Sequence, residues 1–307
     1  MIPQDKDPIA GHSNTNNLAM FEEEPPQQES IRVCLRLRPL NKFELKRRST
    51  SCVIAPDAGE NIDKSAPYAT IGENTIKIHS PLEGEFNFKF DRVFPEDSPQ
   101  SVVYEHSASH LASRTMEGFN CALIAYGQTG SGKTHTMMGG GEHVATKSFK
   151  PLKKLNGPIS EYGKGMIHLL IKDVFRIIND SPPSTEYILR CSFVEIYLER
   201  VLDLLNPTNR TIQILSCEEN SANVVGGGKK GSGDGGVELI GASEACCIDE
   251  SDVASLLVRG NACRTVSSTK LNTDSSRSHA IFIMKIEQKD RITGISKVSQ
   301  LQMIDMA

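Results

Sequence analysis

Hydrophobic and polar positions alternate from residue 31 onward: Ile31, Val33, Leu35 and Leu37 are set against Arg32, Cys34, Arg36 and Arg38. A period of two is that of a strand, and Pro39 ends it because proline has no ladder donor. Phe86, Phe88 and Phe90 alternate with Asn87 and Lys89, predicting a second strand. Ser98-Pro99 reads as an N-cap followed by a first helical position. That helix runs towards Met116, with Val102, Val103, His106 and Leu111 on one side, and Gly118 ends it. The continuous apolar run 121–126 predicts a strand buried on both faces of a parallel sheet. Residues 165–180 form an amphipathic helix whose stripe is Ile167, Leu170, Ile171, Val174 and Ile178. Ser181-Pro182-Pro183 terminates it. Residues 187–205 are extended, with a short helical or turn segment from Glu199 to Leu205. A capped helix follows over 249–260, with Val253, Leu256 and Leu257 inward. Strands over 280–287 and 298–304 flank a turn at Thr293-Gly294. Strands alternating with helices predict an α/β fold in three layers, a mainly parallel central sheet flanked by helices.

Three stretches lack a period. Residues 1–29 are polar, with an acidic run at Glu22–Glu24 before Pro25-Pro26, and read as a solvated, disordered N-terminal extension. Residues 139–163, which hold Lys147, Lys150, Lys153 and Lys154, and about 219–236, which hold the Gly-rich 226–236 run with Lys229-Lys230, read as inserted surface loops. Composition narrows the classes further. The 307-residue chain has a net charge of −4, 38% hydrophobic and 23% charged residues. It is globular, and too weakly charged to attract nucleic acid by bulk electrostatics. No apolar run reaches the ~20 residues of a membrane helix, and the first residues lack the basic and apolar regions of a secretory signal. The eight cysteines include no CxxC, so reduced thiols are expected and zinc is disfavoured.

The chemistry is concentrated in three motifs. Gly127-Gln128-Thr129-Gly130-Ser131-Gly132-Lys133-Thr134 satisfies G-x-x-x-x-G-K-[ST], directly after the apolar strand and before helix-compatible residues. In such a P-loop, backbone N–H groups curl around phosphate oxygens, Lys133 reaches the β- and γ-phosphates, and Thr134 places a hydroxyl on Mg²⁺. Asn272-Thr273-Asp274-Ser275-Ser276-Arg277-Ser278-His279 sets hydroxyls and an arginine before a strand, a composition able to sense a γ-phosphate and orient water. Leu301-Gln302-Met303-Ile304-Asp305 places an acid at the end of an apolar strand, where it can order Mg²⁺. A guanine reader would need N-K-x-D. The nearest candidate, Asn41-Lys42-Phe43-Glu44, ends in Glu and lies upstream of the P-loop.

These residues resemble the kinesin motor domain. The P-loop with its flanks, from Ala125-Tyr126 to His135-Thr136-Met137, is similar almost residue for residue. Residues 272–279 match the switch I pattern N-x-x-S-S-R-S-H. Glu195-Ile196-Tyr197, Glu199-Arg200-Val201 and Asp203-Leu204-Leu205 resemble E-I-Y-x-E-x-x-x-D-L-L, and Arg36-Leu37-Arg38-Pro39-Leu40 resembles R-x-R-P-L. The similarity spans about 31–307, within a motor domain set at 30–307.

The resemblance implies a microtubule-stimulated ATPase of the cytoplasmic cytoskeleton, with ATP and Mg²⁺ bound and tubulin as partner. It implies no nucleic-acid or membrane partner, and any dimer partner held through regions outside this chain. By the same resemblance, Arg36, Arg38 and Pro39 border the adenine and His135 stacks on it. Gly127, Gln128, Thr129, Gly130, Ser131, Gly132, Lys133 and Thr134 hold the phosphates. Ser275 and Ser276 join the γ-phosphate and metal shell with Thr134 and Asp305, while Asn272 and Arg277 belong to the switch. The family continues its switch II as D-x-A-G-S-E, whereas this chain reads Asp305-Met306-Ala307. The expectation is therefore a motor domain incomplete at the C-terminus, unstable or without turnover alone. The alternative is a nucleotide- or microtubule-binding fragment that does not hydrolyse.

Overall fold

A computed structural model describes residues 31–49, 51–54, 68–139, 164–209, 211–216, 237–270 and 277–307. The predicted extension and nearly all of the two predicted insertions lie outside these residues. The alternation near the start yields only a short strand, β1 (Cys34–Arg36), whose one strand partner among the described residues is the parallel β6 (Arg92–Phe94). With one edge paired, Val33 stays half exposed. A single helical turn, α1 (Lys42–Lys46), follows. Asn41 caps it by accepting from the Phe43 and Glu44 N–H groups, and the Glu44 carboxylate accepts from the Asn41 N–H.

A small sheet then forms from β2 (Val53–Ile54), β3 (Tyr68–Ile71), β4 (Thr75–Ser80) and β5 (Gly84–Lys89), in that order. The predicted helix through 98–116 is two helices, α2 (Gln100–Ser107) and α3 (Ser109–Glu117). Pro99 is the N-cap rather than the first helical residue. The break at Ala108 coincides with Ser107 and Ser109 hydroxyls that donate to the Val103 and Glu105 carbonyls, a bond that bends helices. Gly118 caps α3 in the left-handed region, as the sequence predicts.

The strand after it, β7 (Cys121–Ala125), is not buried on both faces: Ile124 is 55% exposed. It is the last strand of a six-stranded sheet in the order β12 (Ala245–Cys247), β8 (Thr185–Tyr197), β13 (His279–Asp290), β14 (Ser296–Asp305), β7, with the sixth strand, β9 (Arg200–Asp203), paired to β8 beside this path, so one edge of β7 has no strand partner among the described residues. α4 (Lys133–Met138) follows the P-loop, and α5 (Met166–Asp180) buries Ile167, Leu170, Ile171 and Val174 in the core. β8 (Thr185–Tyr197) turns back into β9 (Arg200–Asp203), so the segment from Glu199 is a hairpin arm rather than a helix. The two turn residues, Leu198 and Glu199, both have positive φ. Neither is the Gly or Asn that normally marks such a turn. β10 (Gln213–Ser216) pairs antiparallel with β11 (Val237–Ile240).

β12 (Ala245–Cys247) leads into α6 (Glu250–Lys270), which runs past Gly260 instead of stopping there. Gly260 is a packing position: a Cβ there would stand 2.1 Å from Phe193 Cδ1. The long antiparallel pair β13 (His279–Asp290) and β14 (Ser296–Asp305) completes the sheet. The sheet is mixed: β8–β12, β8–β13 and β13–β14 are antiparallel and β14–β7 is parallel. The tight turn near Gly294 joining β13 to β14 leaves room only for an antiparallel return.

Phe282, Met284, Ile286, Leu301 and Met303 lie on the buried face of the sheet and share one core with the inward residues of α5 and α6. Ile281, Ile283 and Ile304, on the alternate positions, are only partly buried. No helix among the described residues is long and apolar enough to cross a membrane.

A Gly260→Ala substitution forces α6 away from Phe193. It is expected to cost about 1–3 kcal/mol, as overpacking of a tight core does, read as a lower midpoint in urea unfolding. Asp203, 2% exposed, supplies a second test. Burial alone would raise its pKa, but hydrogen bonds from Ser243, Asn206 and Asn209 outweigh burial and hold it below the usual aspartate value. Its contribution is complete above the unfolded-state value of about 4 and is lost as the pH falls through the lower folded-state value. Asp203→Asn is expected to cost about 1–3 kcal/mol at neutral pH. It should also flatten the acid limb of stability against pH.

Candidate functional site

Register brings the P-loop to its acid. β14 pairs with β7 so that Asp305 lies opposite Ala125, and both strands end at the same rim of the sheet. The loop leaves that rim at Gly127, whose φ of 153° and whose position against Ser131 exclude a side chain: a Cβ would meet Ser131 Oγ at 2.7 Å. Ser131 N–H donates back to the Gln128 carbonyl at 3.1 Å and tightens the turn. The Lys133 ammonium folds over this turn and donates to the carbonyls of Gly127 at 2.7 Å and Gln128 at 3.1 Å. Among the described residues the ammonium is held by neutral carbonyls, which it can exchange for phosphate oxygens. The first-turn N–H groups of α4 have no intrahelical acceptors and add donors beside it.

Thr134 Oγ1 donates to Asp305 Oδ2 at 2.7 Å, across 171 residues of sequence. The other carboxylate oxygen, Asp305 Oδ1, is buried without a hydrogen-bond partner among the described residues. A hydroxyl and a carboxylate that keeps one buried oxygen unsatisfied among the described residues form an oxygen donor set that suits Mg²⁺. No group of three or more His, Cys, Asp or Glu side chains capable of holding a metal gathers among the described residues. A divalent ion here would therefore draw on phosphate and water for much of its shell.

A buried charge network stands behind Asp305. Arg264 Nη1 lies 3.0 Å from Asp305 Oδ2, and Arg264 Nε lies 3.5 Å from Glu195 Oε1. Arg264 Nη2 donates to the Ser278 carbonyl at 2.9 Å, and the Ser278 hydroxyl donates to Glu195 at 2.6 Å. All three charged side chains are at most 7% exposed. One guanidinium between two carboxylates orients Asp305 and ties α6, β8, β14 and the residue preceding β13 at one point. The sequence reading missed Arg264. Its signal was available: Val253, Leu257, Gly260 and Arg264 recur at helical spacing, so an arginine continues the apolar stripe of α6. Glu195 entered only as part of a motif, without a role.

Of the remaining predicted residues, Asn272, Ser275 and Ser276 lie outside the described residues, and Arg277 is exposed two residues before β13. Arg36 donates to Gln100 Oε1 at 2.7 Å, to Thr136 Oγ1 at 3.0 Å and to the Ser98 carbonyl at 3.3 Å, which makes it a strut between β1 and α4. Gln100 Nε2 completes the strut by donating to the His135 carbonyl at 2.6 Å, another role that the sequence did not reveal.

Arg38 chelates Glu44 at 2.7 and 2.9 Å and donates to the Pro39 carbonyl at 2.8 Å. The Arg38 hydrogen bond first, then the Asn41 N–H, draws the Glu44 pKa down to about 2. The Arg38 stem passes 3.6 Å from the place of a Cβ on Gly132, so it lies against the P-loop. His135 is exposed on α4. Desolvation, and then the Arg36 charge, lower its pKa and favour the neutral imidazole.

Comparison with known proteins agrees with this geometry. Residues 36–307 match the model of the kinesin motor domain. Kinesin-related protein 3 of Dictyostelium discoideum is 33% identical over 279 residues, covering 91% of this chain and 20% of that protein. The kinesin heavy chain of Gibberella moniliformis is 32% identical over 278 residues, covering 91% of this chain and 25% of that protein. The chain thus spans only about a fifth to a quarter of the length of these relatives. A solved structure of a fast kinesin, studied for its ATPase mechanism and interactions with microtubules, superposes with a TM-score of 0.69 at 31% identity. That match covers 91% of this chain and 65% of the other. With the nucleotide-binding architecture and the family match running over the same residues, the chain belongs to the kinesin motor domain family.

Proposed function

We propose that the chain binds ATP with Mg²⁺ at 127–134, hydrolyses it, and couples turnover to microtubule binding in the cytoskeleton. The observation that carries this reading is the Thr134–Asp305 hydrogen bond, which joins the loop that would hold the phosphates to the strand end that would order the metal. Lys133 supplies the positive charge for the β- and γ-phosphate oxygens. Gly127, Gln128, Thr129, Gly130, Ser131 and Gly132 supply the inward backbone, and Thr134 and Asp305, with Ser276, supply the metal's oxygen surroundings. Mg²⁺, when bound, neutralises charge on the transferred phosphoryl group. The neutral His135 ring offers an uncharged face to the adenine, with Arg38 and Pro39 beside the loop. Arg36 serves that edge by bracing α4.

Ser275, Ser276, Asn272 and Arg277 are the residues that would respond to the γ-phosphate and orient the attacking water. Catalysis of this kind is positioning and electrostatics, with little covalent chemistry for the protein to do. Arg264 and Glu195 contribute by holding Asp305 still.

Lys133→Ala removes the main counter-charge for the phosphates. ATP affinity is expected to fall about a hundredfold, the scale of a lost charge-assisted contact, in a titration with a fluorescent nucleotide. Unchanged affinity would place the nucleotide elsewhere. Coupling is tested by phosphate release with and without polymerised tubulin. The proposal expects stimulation by microtubules and its loss in Asp305→Asn. A chain that binds ATP and microtubules but releases phosphate at the same low rate in both conditions is a binding module and not a motor.

A further inference from the structure

Among the described residues β5 is the end strand of the small sheet, and every one of its residues is exposed. Two of them are large and apolar: Phe86 is 40% exposed and Phe88 is 46% exposed. They pair across β4 with Ile78, 37% exposed, and Ile76, 7% exposed. An apolar face thus begins in the core at Ile76 and runs out to a rim that no strand covers among the described residues. Uncovered strand edges of this kind invite pairing with another chain.

The hydrogen-bond phase of β5 follows from one contact. Phe90 N–H donates to Asn74 O at 2.8 Å, directly across the ladder. Bonded and non-bonded pairs alternate in an antiparallel ladder, so Phe88 and Phe86 turn their backbone groups towards β4. The N–H and C=O groups of Glu85, Asn87 and Lys89 then point outward. These same residues carry the strand's charge, with a minus at one end and a plus at the other.

We propose that this edge is a docking surface for a second copy of the chain, paired antiparallel about a two-fold axis at Asn87. In that register Glu85 stands opposite the partner's Lys89 and Lys89 opposite the partner's Glu85. Phe86 stands opposite the partner's Phe88 on the apolar face. The outward backbone groups of Glu85, Asn87 and Lys89 meet the same groups of the partner, so the phase of the ladder and the order of the charges select one arrangement. A parallel pairing would set Glu against Glu and Lys against Lys, which is unfavourable. The interface is isologous and closes on itself as a dimer. Glu85 also lies 2.8 Å from His79 Nδ1 within its own sheet, yet its side chain remains 63% exposed and keeps an oxygen for the partner. This contact uses residues of the motor domain itself and does not depend on the nucleotide reading.

Sedimentation velocity of the 307-residue chain, from about 10 to about 300 µM, the range of a weak interface, reads the proposal. A monomer–dimer equilibrium is expected. Glu85→Lys alone and Lys89→Glu alone each set like charges opposite at two symmetric positions, and each should weaken dimerisation about tenfold. The double variant Glu85→Lys/Lys89→Glu restores both pairs and should return the affinity to near that of the starting chain. Asn87→Pro removes an N–H that points away from β4 and should abolish the dimer, with an unchanged thermal melt showing that the fold is intact. If that variant melts early, the charge pair still decides. A chain that stays monomeric throughout the range overturns the proposal. So does a dimer indifferent to the single charge reversals, or a double variant no tighter than the singles.

Discussion

The parallel pairing of β14 with β7 is the constraint on which the site rests. Asp305 is far from the P-loop in sequence, and only the register that sets it opposite Ala125 brings it within 2.7 Å of the Thr134 hydroxyl. A slip of one residue would turn the carboxylate to the other face of the sheet, where Ile124 and Ile304 now stand. That register is in turn held by packing. Leu301 and Met303 are buried on the same face as Asp305, so shifting the acid would also expose them. The hydrophobic alternation of β14 and the position of its one acid are therefore the same physical fact.

The charges behind Asp305 show what such placement costs. Arg264, Glu195 and Asp305 are all buried, and desolvating three ions is unfavourable unless the geometry is good and the remaining groups are bonded. Here one guanidinium touches both carboxylates and donates to the Ser278 carbonyl, while Ser278 Oγ satisfies Glu195. Replacing the cluster with apolar side chains would cost the fold little, but would leave nothing to orient the acid. Its value is in position. Ser278 stands just before β13, so the network also links the entry of that strand to Asp305 through hydrogen bonds and not only through the backbone.

The sequence was most legible where one interaction dominates. The α5 stripe, the P-loop and the β13–β14 pair are fixed by local periodicity or by a motif whose spacing encodes its own geometry. It was less legible where tertiary contacts decide. β7 reads as doubly buried from composition, yet its place at the end of the sheet leaves Ile124 exposed. Gly260 reads as a helix stop, because its part in admitting the Phe193 ring is invisible without the fold. The turn at Leu198-Glu199 carries none of the usual residues, and the pairing of β8 with β9 imposes positive φ on both. Arg36 points to a further limit: a motif marks a position as important without saying whether the side chain meets a ligand or braces the residue that does.

Unsatisfied groups separate the two surfaces described above. At Asp305 one oxygen is enclosed without a partner among the described residues, and a buried acceptor left alone costs more than a hydrogen bond contributes. Such an atom is tolerable when something supplied later satisfies it. Along β5 the outward backbone groups are bathed in water, so leaving them single costs almost nothing. The first arrangement favours a tight, small, oxygen-seeking ligand at a fixed point, and the second a weak and reversible contact spread over several residues. The difference follows from burial alone. It explains why strong binding would belong to the loop–strand junction, while the exposed rim of the small sheet can offer only a contact governed by concentration.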